Sequence, residues 1–220
     1  MKVRLIGYTQ PVDTIGIDNA QELVAYCARV SNPSNQMNKE TGDKLIRYLI
    51  KHKHWSPLEM ASATIEVETT RDIARQLLRH RSFSFQEFSQ RYADPTTDME
   101  RAYVQRKARL QDPKNRQNSM ITDDMRLHDA WNVHQRAVWA RAEQAYKWAI
   151  ENGIAKEQAR SVLPEGNTLS RLYVNGTLRS WVHYIELRSG NGTQLEHIEL
   201  ARACAEAIIK IFPMAEEFVE

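Results

Sequence analysis

Residues 76–92 read Gln-Leu-Leu-Arg-His-Arg-Ser-Phe-Ser-Phe-Gln-Glu-Phe-Ser-Gln-Arg-Tyr. Arg79, His80, Arg81 and Arg91 crowd basic groups into a stretch that also holds Glu87 and Ser89. Guanidinium forks beside a carboxylate and a hydroxyl suit an anionic, planar, hydrogen-bonding ligand, and nucleotides fit that description. The same charge run is also the composition of a solvated helix face, so charge alone does not decide. A second cluster follows near the C-terminus. Arg179 and His183 are four apart and share a helix face, and Arg188 falls where that helix runs out before Ser189-Gly190.

Other chemistries lack their residues. The sequence has no Gly-x-Gly-x-x-Gly and no Walker A loop, so neither a Rossmann site nor a P-loop is indicated. The histidines have no Cys-x-x-Cys partner and no His-Glu-x-x-His spacing, and no metal site is expected. Ser89 sits in no Gly-x-Ser-x-Gly elbow. The two cysteines, Cys27 and Cys204, are far apart, which argues against a disulfide framework and fits a reducing compartment. Both read as packing residues on helix faces.

The elements that must position these groups follow from periodicity. Met60 to Thr70 alternates, with Ala61, Ala63, Ile65 and Val67 on one face of a strand. Thr70 is placed to cap the next helix, with Asp72 in its first turn. Ile73, Leu77 and Leu78 give that helix a buried stripe, and the basic cluster falls at its C-terminal end, where the dipole favours positive charge. Val3 to Tyr8 reads as a strand. Asn19 and Glu22 form a capping-box pattern before a helix to about Arg29, and Asp43 to Lys51 is a second helix. Asp124 to Asn152 is the longest helix, with a stripe of Trp131, Val138, Ala142, Ala145 and Ala149 and a stop at Gly153. Trp131, Trp139 and Trp148 are expected in the core or a subunit interface. Ala155 to Leu163 is a short helix closed by Pro164, Leu169 to Val174 a strand, and Gln194 to Phe212 the last helix. The order of elements predicts an α+β fold, a small sheet with several long helices.

With 220 residues, 42% hydrophobic and 26% charged, the chain is expected to be a single domain, residues 1–220, with a real core. A net charge of +2 implies no nucleic-acid partner by itself. No run approaches transmembrane length and the N-terminus lacks a signal-peptide core, so no membrane contact and a cytoplasmic location are expected. Asp94 to Asp123 reads as a long irregular loop, made basic by Arg101, Arg106, Lys107, Arg109, Lys114 and Arg116. Such a loop is a candidate lid over an anionic substrate, a solvated excursion, or an RNA-binding patch helped by Tyr103.

Arg79-His80-Arg81 followed at seven residues by Ser89, with Gln76 before and Arg91 after, resembles the signature of the flavin-dependent thymidylate synthases. The likeness extends over most of the chain. His54-Trp55-Ser56-Pro57-Leu58-Glu59 is similar to the family's His-x-Ser/Thr-Pro-x-Glu-His, with Met60 in place of the last His. Ala159-Arg160-Ser161-Val162-Leu163-Pro164 is similar to its Ala-Arg-x-x-Leu-Pro. Gly176-Thr177-Leu178-Arg179-Ser180 stands where many members have Gly-Asn-Leu-Arg-Ser.

The resemblance implies a thymidylate synthase-complementing-like fold assembled as a homotetramer, with sites built from several subunits. It implies reductive methylation of dUMP to dTMP, with FAD as cofactor, NADPH as reductant and methylenetetrahydrofolate as one-carbon donor. It assigns Ser56, Arg79, His80, Arg81, Glu87, Thr177, Leu178, Arg179 and His183 to FAD. It assigns Gln76, Leu77, Leu78, Arg79, Glu87, Phe88, Ser89, Gln90, Arg91, Arg160 and Arg188 to dUMP. Methylation at C5 of uracil needs electron density at that carbon. Neither cysteine lies in these motifs, so thiolate addition at C6 is not the expected route. A fixed guanidinium that stabilises the N3-deprotonated, enolate-like ring is the alternative, and Arg188 matches the family arginine with that role. Ser89 has no clear activating histidine in its motif, which favours a hydrogen-bonding role.

Overall fold

The computed structural model describes residues 1–190 and 192–219. The alternating segment forms β2, Ser62–Thr70, two residues shorter at its start than the pattern suggests, because Pro57 opens a 3-10 turn over Ser56–Glu59. β2 lies between β1 (Lys2–Tyr8) and β6 (Leu169–Thr177), and β6 also pairs with β3 (Ser84–Glu87). All three pairings are antiparallel. β3 was not anticipated: Ser-Phe-Gln-Glu carries one buried-side aromatic, too little periodicity to announce a strand.

The register sorts the two faces. Ala63, Ile65 and Val67 stand opposite Gly176, Val174 and Leu172, and Phe85 pairs with Val174 from the far side. This face joins the main core with Ile73, Leu77, Trp181, Ile185, Leu200 and Ile208 from the helices. The opposite face is polar: Arg4 pairs with Glu66, and Arg171 with Glu68. Burying such apolar side chains stabilises the fold by roughly 1.5–3 kcal/mol each.

Seven helices are assigned among the described residues: α1 (Ala20–Ala28), α2 (Gly42–Lys51), α3 (Arg71–Leu77), α4 (Met125–Glu151), α5 (Lys156–Ala159), α6 (Leu178–Ser189) and α7 (Leu195–Ile209). Asn19 caps α1 by accepting from the Glu22 amide at 2.8 Å, while Glu22 reaches back to the Asp18 amide rather than to Asn19. Thr70 sits at the N-cap of α3, but its hydroxyl donates to Asp72 and caps no amide. The expected 155–163 helix breaks after Ala159 into a 3-10 turn, Arg160–Val162. Together the sheet and these helices make the α+β architecture.

Two expectations on the longest helix and the loop before it are corrected. The buried positions of α4 are Gln135, Ala142, Tyr146 and Ala149, and Trp131 (44% exposed) and Val138 (57%) face outward. The stripe is rotated because Gln135 is drawn inward by bonds to both backbone groups of Arg106. Trp139 stacks on Tyr103, with centroids 4.9 Å apart. The 94–123 stretch is not wholly irregular. It contains a hairpin of β4 (Arg109–Gln111) and β5 (Ser119–Ile121), whose turn is organised by Asp112 accepting from the amides of Lys114 and Asn115. No helix among the described residues is long and apolar enough to cross a membrane.

Candidate active site

α3 delivers the basic cluster. The helix ends at Leu77, and two turns carry the chain past Arg79 and His80, whose amides bond the carbonyls of Gln76 and Leu77. Arg79 and Arg81 are exposed, and neither guanidinium has an ion-pair or hydrogen-bond partner among the described residues. The carboxylates nearby are already engaged. Glu87 accepts from Ser170 Oγ at 2.8 Å and lies 3.5 Å from Arg71, while Asp72 is held by Arg106.

The start of α6 packs directly behind this cluster. Ser180 Oγ donates to the Ser82 carbonyl, and Phe83 packs against Trp181 with centroids 4.5 Å apart. Gly176 permits the approach: a Cβ there would lie 2.3 Å from Phe83 Cδ1. Thr177 caps α6 by accepting from the Ser180 amide at 3.3 Å, so a hydroxyl does serve at the position where the family pattern has asparagine. Arg179 pairs with Glu59, and the His183 ring meets Trp55 edge-on at 4.2 Å, which ties α6 to the Ser56–Glu59 turn.

The other end of α6 supplies the contact that sequence spacing could not give. Arg188 Nε donates to His80 Nε2 at 3.0 Å. Burial, then the charges of Arg188 and Arg79, push His80 down to about 4, so it is neutral and its Nε2 lone pair is available to Arg188. Arg188 is thereby fixed at Nε, and its two terminal nitrogens have no partner among the described residues. Among the described residues no carboxylate pairs with it.

Around this contact lies a buried network that the sequence reading missed. His197 is wholly buried, its ring 6.3 Å from that of His80, and its Nδ1 is 3.1 Å from Gln76 Oε1. Gln76 Nε2 donates to Gln194 Oε1 at 2.8 Å, and Gln194 donates in turn to Glu196, which pairs with Arg109 at 2.7 Å. Gln194, Glu196 and His197 sit at the start of a helix whose dominant pattern is an apolar stripe. A histidine on such a face was the available signal.

The remaining candidates divide. Arg91 lies 3.5 Å from Glu157, and Lys156 donates to the Tyr92 carbonyl, so the segment carrying Arg160 docks beside Arg91. Gln90 is buried, and its Nε2 has no partner among the described residues. Ser89 Oγ accepts from the Arg91 amide at 3.4 Å, a turn contact rather than an activated hydroxyl. Leu77 and Leu178 are fully buried, so only their backbone can face a ligand. Clefts of about 780, 570 and 120 Å³ indent the surface, and none of them is lined by Ser56, by residues 76–91, by Arg160 or by residues 177–188.

Residues 5–214 match the family described as "Thymidylate synthase complementing protein". The chain belongs to the flavin-dependent thymidylate synthase family. Among its relatives is a "Probable flavin-dependent thymidylate synthase" of Paramecium bursaria Chlorella virus 1, 51% identical over 97% of this chain and 96% of the relative. Another is a "Flavin-dependent thymidylate synthase" of Synechocystis, 46% identical over the full length of both. Among solved structures, a UMP/dUMP methylase from Streptomyces cacaoi bound with 5-Br dUMP superposes with a TM-score of 0.79 at 28% identity, covering 98% of this chain and 93% of the other. In this family the rival reading, a nucleic-acid module built on the 101–116 loop, is not favoured.

Proposed function

We propose that this protein is a flavin-dependent thymidylate synthase that converts dUMP to dTMP. What carries the reading, within a chain of this family, is the Arg188–His80 bond: it joins the last basic residue of α6 to the Arg79-His80-Arg81 motif 108 positions away. FAD is the cofactor, with NADPH as its reductant and methylenetetrahydrofolate as the one-carbon donor. Unengaged guanidinium groups at Arg79 and Arg81 are a donor set that fits the flavin's phosphates, with Ser56, His80, Glu87, residues 177–179 and His183 around them. Bound there, the flavin supplies the hydride that completes the methyl group.

The chain's own residues do the rest. Gln76, Arg79, residues 87–91 and Arg160 hold dUMP, with Arg91 as a bidentate partner for its phosphate. Leu77 and Leu78 contribute through their backbone. Arg188, oriented by neutral His80, turns its terminal nitrogens to the uracil ring and stabilises the enolate-like anion formed when N3 loses its proton. Preorganised charge of this kind needs no thiol. Burial holds the Cys204 thiol far above its ordinary value, which suits packing and not attack.

Three large ligands need concave surface, and the clefts of about 780, 570 and 120 Å³ on one chain lie away from these residues, which supports closure of each site by other copies in a homotetramer. Residues 1–220 form one domain, and the protein works in the cytoplasm. A flavin spectrum in the purified protein and NADPH oxidation coupled to dTMP formation, with dUMP and methylenetetrahydrofolate supplied, test the activity. Flavin-free protein, or NADPH oxidation with no dTMP, would overturn it. Native mass measurement tests the tetramer.

A further inference from the structure

We propose that His197 is a positioning residue: with Gln194 and Glu196 it pins the side-chain amide of Gln76 in one orientation, so that one N–H of that amide is always presented to an acceptor oxygen of dUMP. The proposal rests on the reading above that Gln76 belongs to the nucleotide site.

The orientation follows from a chain of hydrogen bonds with only one consistent direction. Glu196 is bound by Arg109 through both oxygens, with Nη1···Oε1 at 2.7 Å and Nη2···Oε2 at 2.9 Å. A carboxylate so paired accepts and does not donate. Gln194 must therefore point its NH₂ at Glu196 Oε2, at 2.9 Å, which turns its Oε1 toward Gln76. That oxygen can only accept, so Gln76 places Nε2 against it, at 2.8 Å. Gln76 Oε1 then faces His197 Nδ1 at 3.1 Å, and Nδ1 must carry the proton. Two amide groups, whose flips ordinarily cost little, and one imidazole tautomer are all set by a single ion pair on the edge of the 101–116 loop. Burial works against the charge on Glu196, yet the bonds from Arg109 and Gln194 hold it down at about 2, so the pattern persists throughout the physiological range.

Two features show what the arrangement is for. His197 is wholly buried, and with its proton on Nδ1 its Nε2 is a bare acceptor without a partner among the described residues. A leucine would pack there without that cost in stability. What the histidine adds is the bond to Gln76. In addition, the ring stands between Gln76 and the His80–Arg188 pair: its centroid is 6.3 Å from His80 and 5.8 Å from Tyr184 of α6. The residue thus backs both the α3 and the α6 side of the nucleotide site. With two of its hydrogen-bonding positions spent internally, the Gln76 amide keeps one N–H and one lone pair for a ligand. The ligand then meets an amide that needs no sorting between its two flips.

The test uses the FAD-loaded protein and reads dUMP affinity by calorimetry, with bound flavin measured by absorbance. Asparagine places its amide nitrogen where Nδ1 of histidine lies, and glutamine places it nearer Nε2. His197→Leu and His197→Gln are expected to raise the dUMP Kd about tenfold, the loss of one buried hydrogen bond. His197→Asn is expected to stay within about twofold of wild type, and all three should keep their flavin. Gln76→Ala serves as the reference and should match or exceed the loss in His197→Leu. If His197→Leu does not fold, the comparison of His197→Gln with His197→Asn carries the same test. Wild-type affinity in both His197→Leu and His197→Gln, with Gln76→Ala impaired, overturns the relay and leaves the site reading intact. Equal losses in His197→Asn and His197→Gln also overturn it, since packing and not the Nδ1 bond would then be responsible. Unchanged dUMP binding in Gln76→Ala removes Gln76 from the nucleotide site and the relay with it, while the dTMP assay on wild type judges the activity separately.

Discussion

Arg106 and Arg109, in the stretch leading into β4, each close on a carboxylate, whereas Arg79 and Arg81 after α3 have no partner among the described residues. Arg106 Nη2 reaches both oxygens of Asp72, at 2.7 and 2.8 Å, and also the Thr70 hydroxyl. Arg109 binds Glu196. The two stretches are alike in composition, and as sequence either is a credible anion site. The difference lies in where the acids fall. Asp72 and Glu196 project toward the loop, and Glu87 is turned away to Ser170 and Arg71, so Arg79 and Arg81 stay unpaired among the described residues while Arg106 and Arg109 hold the loop to the body. Positive charge marks a binding site only after the carboxylates that could neutralise it have been accounted for.

The largest expected effect comes from Arg188, which, like Arg79 and Arg81, has no carboxylate partner among the described residues. Arg188→Ala is expected to keep its flavin and lose dTMP formation by at least about a hundredfold, the scale for removal of one preorganised donor to a developing anion. Turnover near that of wild type, with flavin content unchanged, would take Arg188 out of the chemistry.

One pair of variants separates the paired arginines from the unpaired ones. Arg81→Ala should raise the FAD Kd about tenfold or more, because a hydrogen bond between charged groups is worth about 1.5–3 kcal/mol, and should leave the melting temperature nearly unchanged. Arg106→Ala should do the reverse. It leaves half-buried Asp72 with the Thr70 hydroxyl but without its cationic partner, so stability falls by about 1–3 kcal/mol while flavin affinity holds. Urea titration and flavin binding by ultrafiltration measure both. If Arg106→Ala weakens flavin binding as much as Arg81→Ala does, the two stretches do not differ in the way described.

How much of this was open to the sequence depends on whether the relevant partner was local. β1, β2, β6 and most helices were legible because alternation and capping residues are local signals: Asn19 caps as its type predicts, whereas Thr70 spends its hydroxyl on Asp72. β3 was not, since its stability comes from β6, about ninety residues on. The outward turn of Trp131 depends on Gln135 finding Arg106, which no helical wheel contains. The motif residues Arg79–Arg81 and Arg188 were legible as types. That His80 and Arg188 touch, and that His197 backs Gln76, are products of α6 and α7 packing on α3.

A smaller effect concerns pH. Burial, with the charge of nearby Arg188, pushes His197 from 6.5 down to about 3. A histidine depressed on folding is protonated in the unfolded chain below pH 6.5 but stays neutral in the native state. Stability is therefore drawn down as pH falls from about 6.5 toward 3, by at most about 1.4 kcal/mol per pH unit from this residue. His197→Asn removes the titration and keeps the bond to Gln76, so unfolding free energy should depend less steeply on pH between 6 and 4, roughly by that amount. An unaltered slope would mean that the imidazole is not held neutral in the folded protein.

The smallest effect expected is on turnover in the Cys27→Ala, Cys204→Ala double variant. The proposed route rests on guanidinium groups alone, and this variant asks whether a thiol is needed as well. Cys204 is fully buried in the core beside Tyr184, and burial raises both thiols above their ordinary values, so neither is a ready thiolate. Neither lies among the residues gathered around His80 and Arg188. Removing the Cys204 sulfur leaves a small void, with a cost of order 1 kcal/mol, as for loss of one buried methyl group. The double variant should thus melt slightly lower, hold its flavin, and form dTMP within about twofold of the wild-type rate. Collapse of turnover in a folded, flavin-loaded double variant would show that a thiol takes part, and the electrostatic route through Arg188 would then be insufficient by itself.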